Sequence, residues 1–539
     1  MIKDSKLTVL DCTLRDGGYY NSWEFSNDLI NEYLVAMQSA NIDVVEIGFR
    51  FIKNQGFKGA CAFSTDTFLE NLNIPRDLKI SVMINAADLF YETNTKKSLN
   101  KLFPNSHVNS KVDIVRIASH FDELNVSIEA SNWLSEKGFD VGINLMQISD
   151  RSEKQIEEFA KLANDKSIKV VYFADSLGSL RPVDIKKIVK VLSENCIKPI
   201  GVHAHDNMSL ALLNTLEALN YGATWLDSTV MGMGRGPGNV KTENLLFEIE
   251  NLREKPLNIL PLMTFSSKYL KPLQKKYQWG TNLYYYLAGK FGIHPTYIQE
   301  MLVDPRFNEE DIISVIKNLK LSGGKKFSFN NLHGARNFYK NKKNGNWVPA
   351  KEISEKKVLI LAPGPSLKKY KKEIEDYIIK NNLIVIALNS DQIINPDLIN
   401  YRAACHPLRL LADMPTYKLL KQPLITPYSM LPEVIKKELN KDNILDFGIQ
   451  IDPPLFSVDK NSCKIPNLLV FGYALGVVKS GKVSKIFLAG FDGYPTGDVR
   501  NNEVEDVINS FLIAFKEMNL ISITPTSYKG LRSQSLYAN

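Results

Sequence analysis

The segments LDCTLRDGG (10–18) and GVHAHDN (201–207) carry the residue types best suited to chemistry in this chain of 539 residues. They place one carboxylate, Asp16, and two imidazoles, His203 and His205, near the ends of two short apolar runs far apart in the chain. Carboxylate oxygen and imidazole nitrogen are ligands of divalent metals. His203 and His205 are two apart on an extended run, so both side chains leave the same face. Asn239, in GMGRGPGNVKTENL (232–245), adds an amide oxygen. Two nitrogen and two oxygen ligands with room for water suit Mn, Mg, Co or Zn in five- or six-coordination. These residues point to a metal-dependent enzyme.

Such residues need a frame that brings distant segments together. The first half of the chain alternates eight short Val/Ile-rich runs with helical patterns. The runs are LTVLDCT (7–13), VVEIGF (44–49), KISVMIN (79–85), DIVRIAS (113–119), VGINLMQI (141–148), VVYFADS (170–176), IGVHAHD (200–206) and WLDSTVMG (225–232). Segments such as NDLINEYLVAMQSA between them repeat apolar residues at helical spacing. That count and length predict an α/β fold, a (β/α)8 TIM barrel over 1–248, with a doubly wound open sheet as the competitor. Active sites of such barrels lie at the C-terminal strand ends. Arg15, Asp16, Glu46, Asn144, Asp175, His203, His205 and Asp206 fall at those ends. Core strands have no packing reason to carry such groups, because burying them unpaired costs several kcal/mol.

With 44% hydrophobic and 23% charged residues, the composition is that of a globular protein of more than one domain. The net charge of +7 comes from widely spread lysines, a solvated surface and not a nucleic-acid footprint. Lys340, Lys342 and Lys343 sit among Asn and Gly, as in a loop. The five cysteines (Cys12, Cys61, Cys196, Cys405, Cys463) form no CxxC pair, which fits a reducing cytoplasm. No apolar run reaches transmembrane length.

Residues 249–350 read as a helical extension ending in a linker, GNWVP (345–349). A second α/β pattern then fills 351–539, with runs KKVLILAPGPSL (356–367), LIVIALN (383–389) and KIFLAGFDGY (485–494). In APGPSL, Gly364 lets the backbone approach a ligand, and the helix start at Ser366 can receive a phosphate. This predicts a nucleotide-binding-like domain.

DCTLRDGG, VEIGF, FADSLG, HAHDN with SLALLNTLEAL, and GMGRGPGN together resemble the metal-dependent lyase and aldolase superfamily of TIM barrels. That superfamily includes hydroxymethylglutaryl-CoA lyase, isopropylmalate synthase and 4-hydroxy-2-oxovalerate aldolase. The resemblance spans 7–245, and VRIASHFDE (115–123) and KFGIHPTYIQEML (290–302) place it nearest the aldolase branch. It implies metal ligation by Asp16, His203 and His205, with Asn239 as the fourth ligand. It implies formation or cleavage of a C–C bond beside a 2-oxo acid, through an enolate whose oxygen Arg15 neutralises. An aldehyde or sugar would be the other small-molecule substrate.

The proton-transfer group departs from the family. Tyr19 stands where the oxovalerate aldolases carry a His, and Tyr20 follows it. Glu46 resembles a family acid/base position; Tyr19, His120 and a metal-bound water are the other candidates. The Glu-Gln of Claisen-condensing members is replaced by Gly18 and Tyr19, and the glycine-rich loop lacks the lyase Cys. An acetyl-CoA-dependent Claisen-type acyltransferase is therefore the alternative and not the first reading. Arg50, after VEIGF, is a candidate contact for a substrate carboxylate or phosphate.

In the second domain, APGPSL, ALNSD (387–391), FLAGFDGY (487–494) and TPTSY (524–528) resemble the bacterial sialyltransferase-like domains that handle CMP-sugars. This implies a nucleotide-sugar site at Gly364, Ser366 and Asn389, with glycosyltransferase activity as an alternative; His406, in CHP, is a separate candidate base, though an isolated His is more often structural. It also implies a role in surface-carbohydrate biosynthesis. A homo-oligomer is the expected assembly.

Overall fold

Val and Ile continue through each strand of the first half because both faces of the sheet are covered. The structure, a computed structural model, describes residues 7–53, 57–90, 94–253, 256–304, 307–322, 344–495 and 498–537. Its first eight strands are β1 (Thr8–Asp11), β2 (Val44–Phe49), β3 (Lys79–Asn85), β4 (Ile114–Ser119), β5 (Asp140–Leu145), β6 (Val170–Asp175), β7 (Ile200–Ala204) and β8 (Ala223–Ser228). Each of the eight expected runs overlaps one strand, with β5 and β8 starting one and two residues before their runs. All pair in parallel with the next, and β8 returns to β1 with Leu10 opposite Asp227 and Asp11 opposite Ser228. The sheet is a closed barrel, so the open-sheet competitor does not apply to this half.

Closure makes β7, β8 and β1 consecutive neighbours. That brings His203 and His205 to within one strand of the segment that follows Asp11. Inside the barrel, Leu10, Val44, Ile114, Val170, Tyr172 and Trp225 pack with Cys12 as an apolar plug. Two residues further along the same faces of β2, β4 and β8 stand Glu46, Arg116 and Asp227, all buried. The outer helices seal the barrel. Asn27–Ser39 is capped by the Ser26 hydroxyl, which accepts from Leu29 N at 3.3 Å, and it buries Leu29, Ile30, Tyr33, Leu34 and Met37.

The first compact unit runs from Met1 to Gln299. It therefore takes in helices Lys271–Tyr277 and Leu283–Phe291, which the sequence placed in a separate extension. These helices rest on loops after the barrel strands: Trp279 Nε1 donates to Met231 O at 3.1 Å and Thr281 Oγ1 to Asn207 O at 2.8 Å.

The second unit, Glu300–Asn539, is also α/β. Its main strands are β9 (Lys357–Leu361), β10 (Ile384–Leu388), β11 (Tyr401–Ala403), β12 (Leu424–Thr426) and β13 (Ile444–Asp446). A small sheet of β14 (Gly448–Ile451), β15 (Ser457–Asp459) and β16 (Ser462–Ile465) interrupts them, before β17 (Lys485–Ala489), β18 (Leu520–Ser522) and β19 (Arg532–Ser533). The parallel sheet has the order β13-β12-β11-β10-β9-β17-β18-β19. Chain direction across it reverses between β9 and β17, the switch point where open α/β sheets form a crevice. The expected linker GNWVP belongs to this unit, since Trp347 packs in its core. Lys340, Lys342 and Lys343 lie outside the described residues. The five cysteines are buried and none is in a disulfide. Among the described residues no helix is long and apolar enough to cross a membrane.

Candidate active site

β1 passes directly into the helix Thr13–Asn21, which buries Arg15 and Asp16 in its first turns at the barrel mouth. Arg15 Nη1 donates to Asp16 Oδ1 at 2.8 Å and Arg15 Nε to Glu46 Oε1 at 2.7 Å. Burial alone would raise the Asp16 carboxyl; the Arg15 guanidinium and the His203 contact hold it far below the ordinary range. Asp16 is therefore an anion at any working pH.

His203 is oriented by β8. Its Nδ1 lies 2.9 Å from Asp227 Oδ2, which places a proton on Nδ1; burial would lower the ring's pKa but the Asp16 and Asp227 carboxylates raise it, and in the neutral ring Nε2 keeps its lone pair. Asn239 Nδ2 donates to that Nε2 at 3.0 Å, and Asp16 Oδ2 lies 3.3 Å from it. His205 is fixed the same way, its Nδ1 donating to Asp175 O at 2.9 Å. The two rings stand edge to face with centroids 5.0 Å apart. Burial, with His203 beside it, pulls His205 down to about 3, so it is neutral and able to ligate.

The donor set suits a cation. Asn239 Oδ1 is buried with no hydrogen-bond partner, and the buried Asp16 Oδ2 accepts no hydrogen bond of good geometry, meeting only His203 Nε2 at 3.3 Å. Orphaned acceptors on an ionised carboxylate and an amide, beside an imidazole lone pair, are costly unless a positive ion joins them. Ligand atoms of Cys12, Asp16 and His203 all lie within 4.8 Å of one another, and His205 lies outside that tightest set. Gly234 keeps the space open: a Cβ there would come within 1.9 Å of Asn239 Oδ1. A short bridge between His205 and Asn239 holds the glycine-rich loop over the end of β7.

Residues 6–267 match the family model described as HMGL-like. The crystal structure of the N-terminal domain of a putative aldolase from Bacteroides vulgatus aligns at 32% identity and a TM-score of 0.51, covering 55% of this chain and 96% of that one. The chain belongs to the HMGL-like family. It is similar to a 4-hydroxy-2-oxovalerate aldolase of Pelotomaculum thermopropionicum, 27% identical over 334 residues, 60% of this chain and 94% of that protein. It is also similar to an oxaloacetate decarboxylase of Mycobacterium tuberculosis, 28% identical over 244 residues, 45% of this chain and 69% of that protein. With such relatives, the chain is a carbon–carbon lyase of the HMGL-like family.

Beneath the mouth of this HMGL-like barrel lies an ionic layer that the sequence reading did not single out. Arg116 Nε and Nη2 hold the two Glu46 oxygens at 2.7 and 2.8 Å, and Arg116 Nη1 holds Asp227 Oδ2 at 2.7 Å. The Tyr172 ring covers the guanidinium, 4.5 Å from its centroid. Charge therefore runs from Arg15 through Glu46, Arg116 and Asp227 to His203. The signal was present in V-R-I-A of β4 and W-L-D-S of β8, each a single charge inside an apolar run.

The expected proton-transfer residues fall in different settings. Glu46 is fully buried; burial would raise its carboxyl, but Arg116 and Arg15 hold it down to about 2. The half-buried Tyr19 lies edge-on to Trp23, centroids 4.9 Å apart, with Arg235 5.7 Å from its own centroid. Burial pushes its phenol up. His120 begins the turn after β4, its backbone N–H donating to the Glu123 carboxylate at 2.9 Å. Among the described residues no hydrogen bond or ion pair links it to Asp16, His203 or His205. Arg50 is spent on structure, donating to Asp66, Ser64 O and Leu102 O at 2.7–3.0 Å. Two further mouth residues stand inside longer motifs with no spacing of their own to mark them: Arg235 in the glycine-rich loop and His294 just before the helix Pro295–Val303.

In the second unit, Gly364 and Ser366 lie at the end of β9, on the switch point. Ser366 N and Oγ donate to the two Asp492 oxygens at 3.0 and 2.7 Å. A Cβ at Gly364 would come within 2.2 Å of Asp492 Oδ2, so only glycine lets that carboxylate in. An acidic side chain thus sits where the sequence expects a phosphate. Asn389 ends β10 with φ 56°, its N–H donating to Ala403 O at 2.8 Å.

Proposed function

We propose that the barrel is a divalent-metal-dependent aldolase or lyase that forms or breaks a C–C bond next to the carbonyl of a 2-oxo acid. The observation that carries this is the pair of orphaned oxygens, Asp16 Oδ2 and Asn239 Oδ1, beside the His203 Nε2 lone pair. Asp16, His203, His205 and Asn239 would hold Mn, Mg, Co or Zn. When bound, the cation supplies Lewis-acid polarisation to the carboxylate and carbonyl oxygens of the 2-oxo acid.

The chain's own residues do the rest. Arg15 has a buried Nη2 with no protein partner, a fixed donor available to an enolate oxygen. Glu46 positions Arg15 by its 2.7 Å contact with Nε, and its place between two guanidiniums favours this over a proton-transfer role. Tyr19 keeps its proton and is suited to protonate an alkoxide in the condensation direction. The second unit, whose switch-point crevice presents Gly364, Ser366 and Asn389, is read as a binding domain for a nucleotide-sugar, placing the enzyme in surface-carbohydrate biosynthesis.

The test supplies Mn and pyruvate with a panel of aldehydes, and separately acetyl-CoA with 2-oxo acids. Aldol formation that needs Mn supports the reading; thiol release that needs acetyl-CoA overturns it. His205→Ala should lose both Mn binding and turnover. Full turnover at full metal occupancy in that variant would remove His205 from the ligand set.

A further inference from the structure

Arg235 is a cation set at the barrel mouth without an anion. Arg15, Arg50 and Arg116 each pair with a carboxylate. Arg235 pairs with none among the described residues, and its Nε is buried without a hydrogen-bond partner. The side chain leaves the glycine-rich loop and lies over the Tyr19 ring. Its Nη2 meets His294 Nε2 at 3.4 Å. A partly buried guanidinium with no counter-charge is an expensive arrangement that a bound anion repairs.

His294 gives the second observation. Its Nδ1 faces the Thr296 N–H at 3.3 Å, and its Nε2 faces the Arg235 guanidinium. A neutral imidazole has one N–H and one lone pair. Whichever tautomer is present, one of the two contacts sets a donor against a donor. The Thr296 N–H is fixed at a helix start, so the side that can be relieved is the one facing Arg235. An anionic oxygen between Arg235 and His294 would accept from both. The fold holds this pair in place: a Cβ at Gly236, next to Arg235, would lie 3.1 Å from the Tyr285 ring and 3.4 Å from Pro295, next to His294.

We propose that Arg235 and His294 form the subsite for an anionic group on the carbonyl partner, so that this enzyme takes an aldehyde bearing a carboxylate or a phosphate. The inference rests on the aldolase reading above and names the substrate class of that same site. Arg235 is a specificity residue, because it meets the end of the substrate remote from the bond that changes. Its charge-assisted contact separates an anionic aldehyde from a neutral one of similar size.

The experiment separates the subsite from the reaction. The Mn-loaded full chain is titrated calorimetrically with succinic semialdehyde against butanal, and with D-glyceraldehyde 3-phosphate against D-glyceraldehyde. The wild type should bind one anionic member about 100-fold more tightly than its neutral counterpart, the fold-change of one lost charge-assisted contact. The pair that shows the preference distinguishes carboxylate from phosphate. In Arg235→Met the preference should collapse, and Arg235→Lys should keep part of it, which also controls for misfolding. Equal binding within both pairs, or a preference that survives in Arg235→Met, overturns the subsite. Deuterium exchange at C3 of pyruvate, followed by NMR in the wild type, tests the aldolase reading by itself. If exchange is absent while Arg235-dependent anion binding is present, the subsite stands and the reaction assignment falls.

Discussion

Arg116 grips the Glu46 carboxylate across the intervening strand β3, with Nε to Oε2 at 2.7 Å and Nη2 to Oε1 at 2.8 Å. Both side chains are fully buried. The contact does more than neutralise two charges. It fixes the oxygen that holds Arg15, and through Asp227 it fixes the ring of His203. The metal half and the enolate half of the site hang on one guanidinium.

Removing the carboxylate should therefore cost stability first. Glu46→Leu leaves Arg116 and Arg15 without their shared anion, and we predict a loss of about 3–5 kcal/mol. Four of the five tryptophans, Trp23, Trp133, Trp225 and Trp279, lie in the barrel unit, so urea unfolding followed by tryptophan fluorescence reports on it. Glu46→Gln separates positioning from proton transfer. A positioning Glu46 predicts a lower kcat with an unchanged pH profile; loss of the acidic limb would make it the base.

Asp227 fixes the His203 ring through Nδ1 at 2.9 Å, the orientation that turns Nε2 toward Asp16. Asp227→Asn should weaken Mn binding about 10–100-fold, the usual effect of losing a group that orients a ligand. An EPR titration of free Mn measures it. Wild-type affinity in this variant would show that His203 is not a ligand.

Asp175 carries a pH signature. Burial pushes its carboxyl up to about 6 despite N–H bonds from Ser179 and Leu180 at 3.0 Å each. The folded state thus holds a proton that the unfolded chain releases nearer 3.8. Its contribution is complete below the unfolded value and is lost as pH rises through about 6, a change of about 3 kcal/mol. Urea unfolding of wild type and Asp175→Asn at pH 4 to 7 should show the difference between them moving in favour of the variant. A pH-independent difference would mean that Asp175 titrates normally.

Much of this was legible before the structure. The eight barrel strands stood out because buried parallel strands are continuous apolar runs, and the polar residues at their C-terminal ends stood out against them. What could not be read was who meets whom across the barrel. Glu46 looked like a proton-transfer group because nothing in VVEIGF shows that Arg116, on β4, turns inward to it. His294 was hidden among helical residues, since its meaning depends on a helix pair folding over Gly236. In the second unit, β11, β12 and β13 are three residues each, too short to show a period.

Gly234 tests the metal space directly. Its missing Cβ would lie 1.9 Å from Asn239 Oδ1 and 3.6 Å from Asp16 Oδ2. In Gly234→Ala the Asn239 amide must swing aside, a movement at the end of one side chain. Unfolding stability should change by no more than about 1 kcal/mol, while Mn affinity falls. Unchanged Mn binding would exclude Asn239 as a ligand.

The acid at the second unit's switch point makes the last prediction. Ser366 N and Oγ are the donors a phosphate would want, and Asp492 occupies both. A nucleotide phosphate must displace that carboxylate or be repelled by it. Asp492→Ala frees the two donors, and CMP or UDP should then bind about 10-fold more tightly, roughly one hydrogen bond to a charged group. Cytidine and uridine, which bring no phosphate, should gain nothing. Calorimetry on the full chain reads all four. If CMP affinity instead falls in the variant, Asp492 is itself a ligand contact, and Ser366 positions that carboxylate instead of a phosphate.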